Sequence, residues 1–276
     1  MSVTICRDFE QRSVAWYKAR CGMVTASTIG QLVSMTSPGP SAYPCQSCGA
    51  EPGESCVSLR NGEPIKTPHA ERSVIASQMS ATAKPVLAVA DTDTARGVLD
   101  SLAAERITGL AEETPTTGDM WRGVIAEPFA RAAYAEWRGV DVEEVGLIVR
   151  ELAGGMRIGY SPDGLVSTDG QIEIKAPRAK GHIGTVISGE VPARHMAQLQ
   201  TGLFASGRAW VDYVSFSGGL HLWAKRVEPD PEWQSVILAA LAWAEVGIAD
   251  RIANYQAATT GLPLTEPLPT YDDITI

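Results

Sequence analysis

The stretch from Ser161 to Pro177, "SPDGLVSTDGQIEIKAP", limits the possible folds more than any other part of the chain. Serine, threonine, aspartate and glycine at 167–170 form a turn between two runs of β-forming residues, the pattern of a β-hairpin. Side chains alternate along a strand, so Ile172 and Ile174 face one way and Glu173 and Lys175 the other. A hairpin turning near Thr168 to Gly170 sets Asp163 roughly opposite Lys175. One face then enters a core while Asp163, Glu173 and Lys175 share the other. That polar face is either an ordinary solvated sheet surface or a site for a hard cation such as Mg²⁺, which takes oxygen ligands and keeps part of its water. A lysine beside such an ion can position or deprotonate the water it acidifies.

The elements around the hairpin alternate in type. Apolar residues at Val14, Trp16 and Tyr17, then at Ile29, Leu32 and Val33, predict two short helices, the second capped by Thr25 or Ser27. A helix is predicted from about His69 to Ala83, and another in "DTDTARGVLDSLAAERITGL", with Val98, Leu99, Leu102 and Ile107 mostly on one side. "GDMWRGVIAEPFARAAYAEWRG" reads as a helix in which Pro128 costs a hydrogen bond or marks a kink. Its Glu127 sits among small and apolar residues, where an acid is costly unless paired or near a metal. Strands follow in 140–175, then a helix ending at Gly207, two more strands, and a long helix opened by Asp230-Pro231-Glu232 and reaching about Ala257. The order predicts an α/β chain, a mixed sheet flanked by helices.

"CQSCGAEPGESCVSLRNGEPIKTPHAER" sets Cys45, Cys48, Cys56 and His69 at zinc-ligand spacing, with Gly49 turning the Cys-x-x-Cys back on itself. Three clustered cysteines of five fit a reducing compartment and one structural Zn²⁺ better than a disulfide framework. Arg60, Lys66 and Arg72 are candidate DNA contacts there, although a structural staple or a protein-contact surface fits as well. Cys6 and Cys21 have no partner by spacing, and His182, His195 and His221 read as hydrogen-bonded groups rather than ligands. A net charge of −9 argues against a protein that coats nucleic acid, but not against a nuclease that binds phosphates locally. No run reaches the roughly 18 apolar residues of a membrane span, and the N-terminus lacks a signal peptide's apolar core.

Five short motifs occur in one order: "WYKARCGMVTAS", Gly-x-x-x-Glu-Pro at Gly123, "SPDG", Glu-Ile-Lys and "MAQLQTGL". Together they resemble the phage lambda exonuclease family of viral recombination nucleases, which has the PD-(D/E)xK fold. The resemblance covers about residues 10–35 and 95–245. It implies a nuclease core at 1–37 and 86–258, a zinc-binding insertion at 38–85, similar to small zinc modules of phage proteins, and a flexible tail at 259–276. It further implies Mg²⁺ (or Mn²⁺), two ions in all, on Glu127, Asp163, Glu173 and the Ile174 carbonyl, with Lys175 catalytic and Gln198 and Gln200 nearby. Arg20, Ser27 and Ser161 match positions that hold the 5′-phosphate of a DNA end. The implied activity is digestion of linear duplex DNA from the 5′ side, leaving 3′ single strands for recombination, by a homo-trimer with an annealing protein as partner. A sequence- or structure-specific endonuclease, or an inactive zinc-containing DNA-binding protein, are the rival expectations. The expected location is the cytoplasm, that of the host if a phage encodes the chain. "SFSGGL" departs from the family, which tends to have Asp-Pro after that strand.

Overall fold

The computed structural model describes residues 2–79, 83–111 and 117–266. Eleven strands and seven α-helices lie within them. One sheet has four strands in the order β1 (Ser2–Cys6), β6 (Leu147–Glu151), β7 (Arg157–Tyr160), β2 (Val24–Thr25). A second has five, in the order β11 (Trp223–Val227), β10 (Trp210–Ser215), β9 (Gly170–Lys175), β8 (Gly164–Val166), β5 (Val142–Glu143). A separate ribbon pairs β3 (Val33–Thr36) antiparallel with β4 (Val86–Val89). The mixed α/β architecture expected from the sequence is present.

The hairpin forms as β8 and β9, with Gly164 opposite Ile172 and Val166 opposite Gly170. Continuing this register sets Asp163 opposite Glu173, not Lys175, because the three-residue turn falls at 167–169, one residue earlier than the sequence suggested. On its other side β9 pairs in parallel with β10, so both edges of the charged strand are covered. Ile172 and Ile174 enter a cluster with Val166, Val214 and two residues of α4 (Gly118–Arg138), Ala130 and Tyr134. The alternation read from the sequence is therefore the one the core uses.

The main core lies under α7 (Pro231–Ala258). Trp233, Val236, Ile237, Ala240, Leu241, Ala244 and Ile248 are all buried, a stripe at helical spacing. Its start follows from chemistry: Asp230 Oδ1 accepts from the Glu232 and Trp233 amides, at 2.8 and 3.4 Å, and Pro231 fills the first position. α3 (Asp93–Thr108) packs against α7 through Ala95, Leu99 and Leu102, whereas Ile107, expected on that side, is exposed. α4 runs unbroken through Pro128 from its Thr117 cap to Gly139, whose φ of 65° ends it.

Other expectations are corrected. The predicted second helix is strand β2 and a single 3₁₀ turn, Ile29–Gln31, because Val24 and Thr25 join β7 in parallel. α1 (Val14–Arg20) forms as expected, and α2 spans Ala70–Met79. β1, β3, β4 and α5 (Ala179–Ser188) were not anticipated. The expected tail is described only to residue 266, and 267–276 lie outside the described residues.

Asp212 of β10 is fully buried beside this core. It accepts from Tyr134 Oη at 2.7 Å and from Arg226 Nε at 2.8 Å, and burial with the Asp212 hydrogen bond and charge pushes the Tyr134 phenol well above its ordinary value. Asp212→Ala leaves the Tyr134 hydroxyl without its acceptor. Chemical denaturation should show a loss of about 1–3 kcal/mol, while Tyr134→Phe, which leaves the Arg226 pair, should cost about 1 kcal/mol. Equal losses would show that the hydroxyl carries the whole effect.

Candidate metal and nucleic-acid site

Glu173 is the centre of the polar face. It is 2 % exposed, and each carboxylate oxygen has partners. Oε1 accepts from Lys175 Nζ at 2.7 Å and from Gln198 Nε2 at 2.6 Å; Oε2 accepts from Tyr160 Oη at 3.0 Å. Gln198 comes from α6 (Met196–Ser206), which can lie this close because Gly202 presents no Cβ; one would meet the Tyr160 ring at 2.8 Å. Burial weakens the Lys175 ammonium, but Glu173 and Asp163 outweigh it and hold its pKa above the ordinary value. Lys175 therefore stays protonated at neutral pH.

Asp163 follows β7 in the turn to β8. Its Oδ2 accepts from the Ile174 amide at 2.6 Å, which clips the turn onto β9. Burial, then the Glu173 charge, push its pKa well above the usual carboxylate range, and Glu127 adds to this. A carboxyl in that condition gains from a cation. Glu127 lies across a cleft of about 680 Å³ that Asp163 also lines. Its Oε1 accepts from Arg131 Nη2 at 2.6 Å and its Oε2 from Arg12 Nη2 at 3.1 Å. Among the described residues these three carboxylates do not close into one ligand cluster: Glu127 faces arginines and Glu173 faces Lys175 and Gln198. The donor chemistry of these acids, oxygen only, fits a hard divalent cation.

Arg20, Ser27 and Ser161 come together around Trp16. Arg20 Nη2 donates to Ser27 Oγ at 3.2 Å, and its guanidinium lies 3.9 Å from the Trp16 ring centroid. The indole Nε1 donates to Ser161 Oγ at 2.8 Å. Burial lowers the Arg20 pKa, which Glu105 partly offsets.

Gln200 does not join the site. It is buried with its Nε2 on the Glu228 carbonyl at 2.8 Å and its Oε1 accepting from the Asp230 amide at 2.9 Å, so it fastens α6 to the start of α7. Gln198 and Gln200 are two residues apart, about 200° around a helix, and so point to opposite sides. Arg178, near the site in sequence, pairs with Asp119. His182, as expected, is hydrogen-bonded in the core, to Ser215 Oγ and the His221 carbonyl.

Sequence reasoning missed Trp16, Tyr160, Arg12, Arg131 and His195. Tyr160 stands one residue before "SPDG" and gives no signal of its own beyond being aromatic in a strand. His195 stacks on Tyr213, 5.4 Å between ring centroids, and burial with Lys175 and Arg194 nearby draws its pKa down to about 4.

Cys45, Cys48, Cys56 and His69 form a second, separate cluster whose ligand atoms all lie within 4.8 Å of one another. Sulfurs bound to one tetrahedral Zn²⁺ sit about 3.8 Å apart, so the four fit that ion. The His69 amide, helped by the Arg72 guanidinium, draws the Cys56 thiol down to about 6. Arg72, a candidate DNA contact in a module that could equally be a structural staple, is 1 % exposed. It donates to the carbonyls of Tyr43, Glu54, Ser41 and Glu51 and to Cys56 Sγ, and so holds the loops that carry the thiols.

Residues 75–209 match the YqaJ-like viral recombinase domain, a span that includes Glu127, Asp163, Glu173, Lys175 and Gln198. Residues 11–90 match a putative DNA-binding phage zinc finger domain, which includes the four-ligand cluster. No curated protein matches the chain. Among solved structures, an alkaline exonuclease from Laribacter hongkongensis, LHK-Exo, is similar at 24 % identity and a TM-score of 0.64, over 91 % of this chain and 100 % of that one. The same exonuclease in complex with dAMP is similar at 25 % identity, with the same TM-score and coverage. The two domain matches and this shared fold bear out the resemblance to the lambda exonuclease family: the chain carries a YqaJ-like viral recombinase domain joined to a phage zinc-binding domain.

Proposed function

We propose that this chain is a divalent-metal-dependent exonuclease that digests linear double-stranded DNA from the 5′ end and leaves 3′ single strands for phage-type recombination. The observation that carries the reading is a buried carboxylate, Glu173, on a strand covered on both edges, with Asp163 opposite it and Lys175 two residues on. Its nuclease chemistry also rests on the likeness to an alkaline exonuclease, whose structure with dAMP holds a deoxynucleoside monophosphate.

In this reading Asp163, Glu173 and the Ile174 carbonyl would hold Mg²⁺ or Mn²⁺, and Glu127 would complete the set. When bound, the ion supplies charge for the scissile phosphate and an acidified water. Lys175, kept protonated by Glu173 and Asp163, donates hydrogen bonds toward the phosphodiester oxygens and orients the attacking water. Gln198 and Tyr160 fix the Glu173 carboxylate so that it does not turn away from that work. Arg20, with Ser27 and Ser161, receives a terminal 5′-phosphate: an arginine fork and neutral hydroxyls suit a dianion. Residues 38–85 form a zinc-bound insertion in a nuclease core made of 1–37 and 86–258, hung from the β3–β4 ribbon. A homo-trimer and an annealing partner belong to the same reading.

The experiment is digestion of linear duplex DNA labelled at either end, beside a closed circle, with and without Mg²⁺. Loss of the 5′ label first, from the linear form alone and only with Mg²⁺, is the expected result; cutting of the circle would make the enzyme an endonuclease. Asp163→Asn and Lys175→Ala should each slow digestion by at least about 100-fold. End binding should persist in both, since phosphate contacts supply most affinity.

Arg20→Ala should reduce the preference for 5′-phosphorylated over 5′-hydroxyl ends. The ratio of initial rates on the two ends reads this, and an unchanged ratio removes Arg20 from the pocket.

Elemental analysis should find about one zinc per chain, absent from a Cys45→Ser/Cys48→Ser protein. Loss of zinc should unfold residues 38–85, where thiolate ligation supplies roughly 10–16 kcal/mol in isolated fingers. Mg²⁺-dependent digestion of a short duplex should survive that loss; its disappearance in a folded core would couple the two sites.

A further inference from the structure

Arg12 stands where the backbone favours glycine. Its φ is 67°, in the left-handed region that L side chains avoid. Such a conformation is retained where the surroundings impose it or the side chain is needed. The loop is fixed next door: Gln11 Nε2 donates to the Pro162 carbonyl at 2.8 Å and the Val145 carbonyl at 3.1 Å, which ties residue 11 to the turn that carries Asp163. Arg12 thereby leans over the cleft lined by Glu127, Arg131 and Asp163.

The two arginines on Glu127 differ in freedom. Arg131 is 12 % exposed at its side chain and is held three ways, by Glu127, by Glu144 and by the Asp163 carbonyl. Arg12 is 47 % exposed and, among the described residues, has one partner, Glu127 Oε2 at 3.1 Å. Arg131 is a fixed strut. Arg12 can leave.

We infer that Arg12 is a resident cation on the outer oxygen of Glu127, which a divalent metal ion must displace and which, once released, binds a phosphate of the DNA strand in the cleft. The inference rests on the cation site proposed above. It accounts for a helix acid that faces arginines rather than the other carboxylates, and for a strained residue with a long cationic side chain at the cleft edge. Exchange of this kind couples metal entry to strand entry: the phosphate that arrives with DNA takes the guanidinium, and Glu127 becomes free for the ion. Arg12 acts on Glu127 and is therefore a positioning residue, besides contacting the strand.

The test uses the zinc-loaded full-length protein and titrates Mn²⁺, reading free Mn²⁺ by electron paramagnetic resonance, without DNA. Arg12→Gly keeps the backbone conformation at no steric cost, so the variant is expected to fold. It should bind Mn²⁺ about two- to fivefold more tightly than wild type, the factor that one half-exposed ion pair is worth. Its KM for linear duplex should rise by a similar factor. Arg12→Lys keeps the charge and should return both quantities toward wild type. A damaged fold would not tighten metal binding. Unchanged or weaker Mn²⁺ affinity in Arg12→Gly overturns the inference, as does an Arg12→Lys protein that behaves like Arg12→Gly. Tighter Mn²⁺ binding with an unchanged KM overturns the strand contact. Asp163→Asn is the control for the underlying reading: if wild type binds Mn²⁺ no better than that variant, the cation site itself fails and the inference with it.

Discussion

A carboxylate buried at 2 % exposure on β9 is the constraint around which the rest of the polar face is arranged. Taking an ionised group out of water costs several kcal/mol unless its oxygens are paired and hydrogen-bonded. Glu173 meets that cost with three donors from three elements: Lys175 on its own strand, Tyr160 on β7 and Gln198 on α6. Each donor fixes the distance between its element and β9. The site's geometry and the packing of α6 across the sheets are therefore one problem. Gly202 shows the coupling, since any side chain there would drive α6 off the Tyr160 ring and loosen a donor to Glu173.

The molecule separates two kinds of candidate ligand by chemistry. Thiolates and an imidazole cluster at Cys45, Cys48, Cys56 and His69, a soft set; the strand and helix acids offer oxygen alone. The soft cluster has almost no apolar core, only Cys45, Cys56 and Ala50 buried with Ile65 beside them. Arg72 replaces the missing hydrophobic contacts with five hydrogen bonds to the loops that carry the thiols. The acids of the sheet, by contrast, are held by a packed hydrophobic core.

The sequence disclosed what depends on local periodicity and on strong motifs. The alternation of "QIEIK" found the correct faces of β9, the Asp-Pro-Glu start found α7, and cysteine spacing found the four-ligand cluster. It erred where long-range pairing decided the outcome. β1, β3 and β4 exist because distant partners complete their ladders, Ser2 with Glu151 and Val33 with Val89, and no local signal announces such pairs. The register at Asp163 differs for a local reason, since the turn between β8 and β9 sits at 167–169, one residue before the place that Thr168 to Gly170 suggested. For Arg72 the sequence leaves DNA contact and structural staple open, because a charged residue reads as surface until its carbonyl partners are assembled.

The two glutamines of "QLQ" show how one helix serves two demands. Gln198 faces the sheet and holds Glu173; Gln200 faces the other way and accepts the amide of Asp230, the residue that caps α7. α7 in turn supplies the stripe that buries the main core. A displacement of α6 along its axis would break both bonds together, one at the charged site and one at the start of the longest helix. The position of Gln198 is thus set by the whole α6–α7 interface and not by its own hydrogen bond. That is why a single carboxamide can hold a buried charge: its backbone is anchored on the opposite side of the same helix.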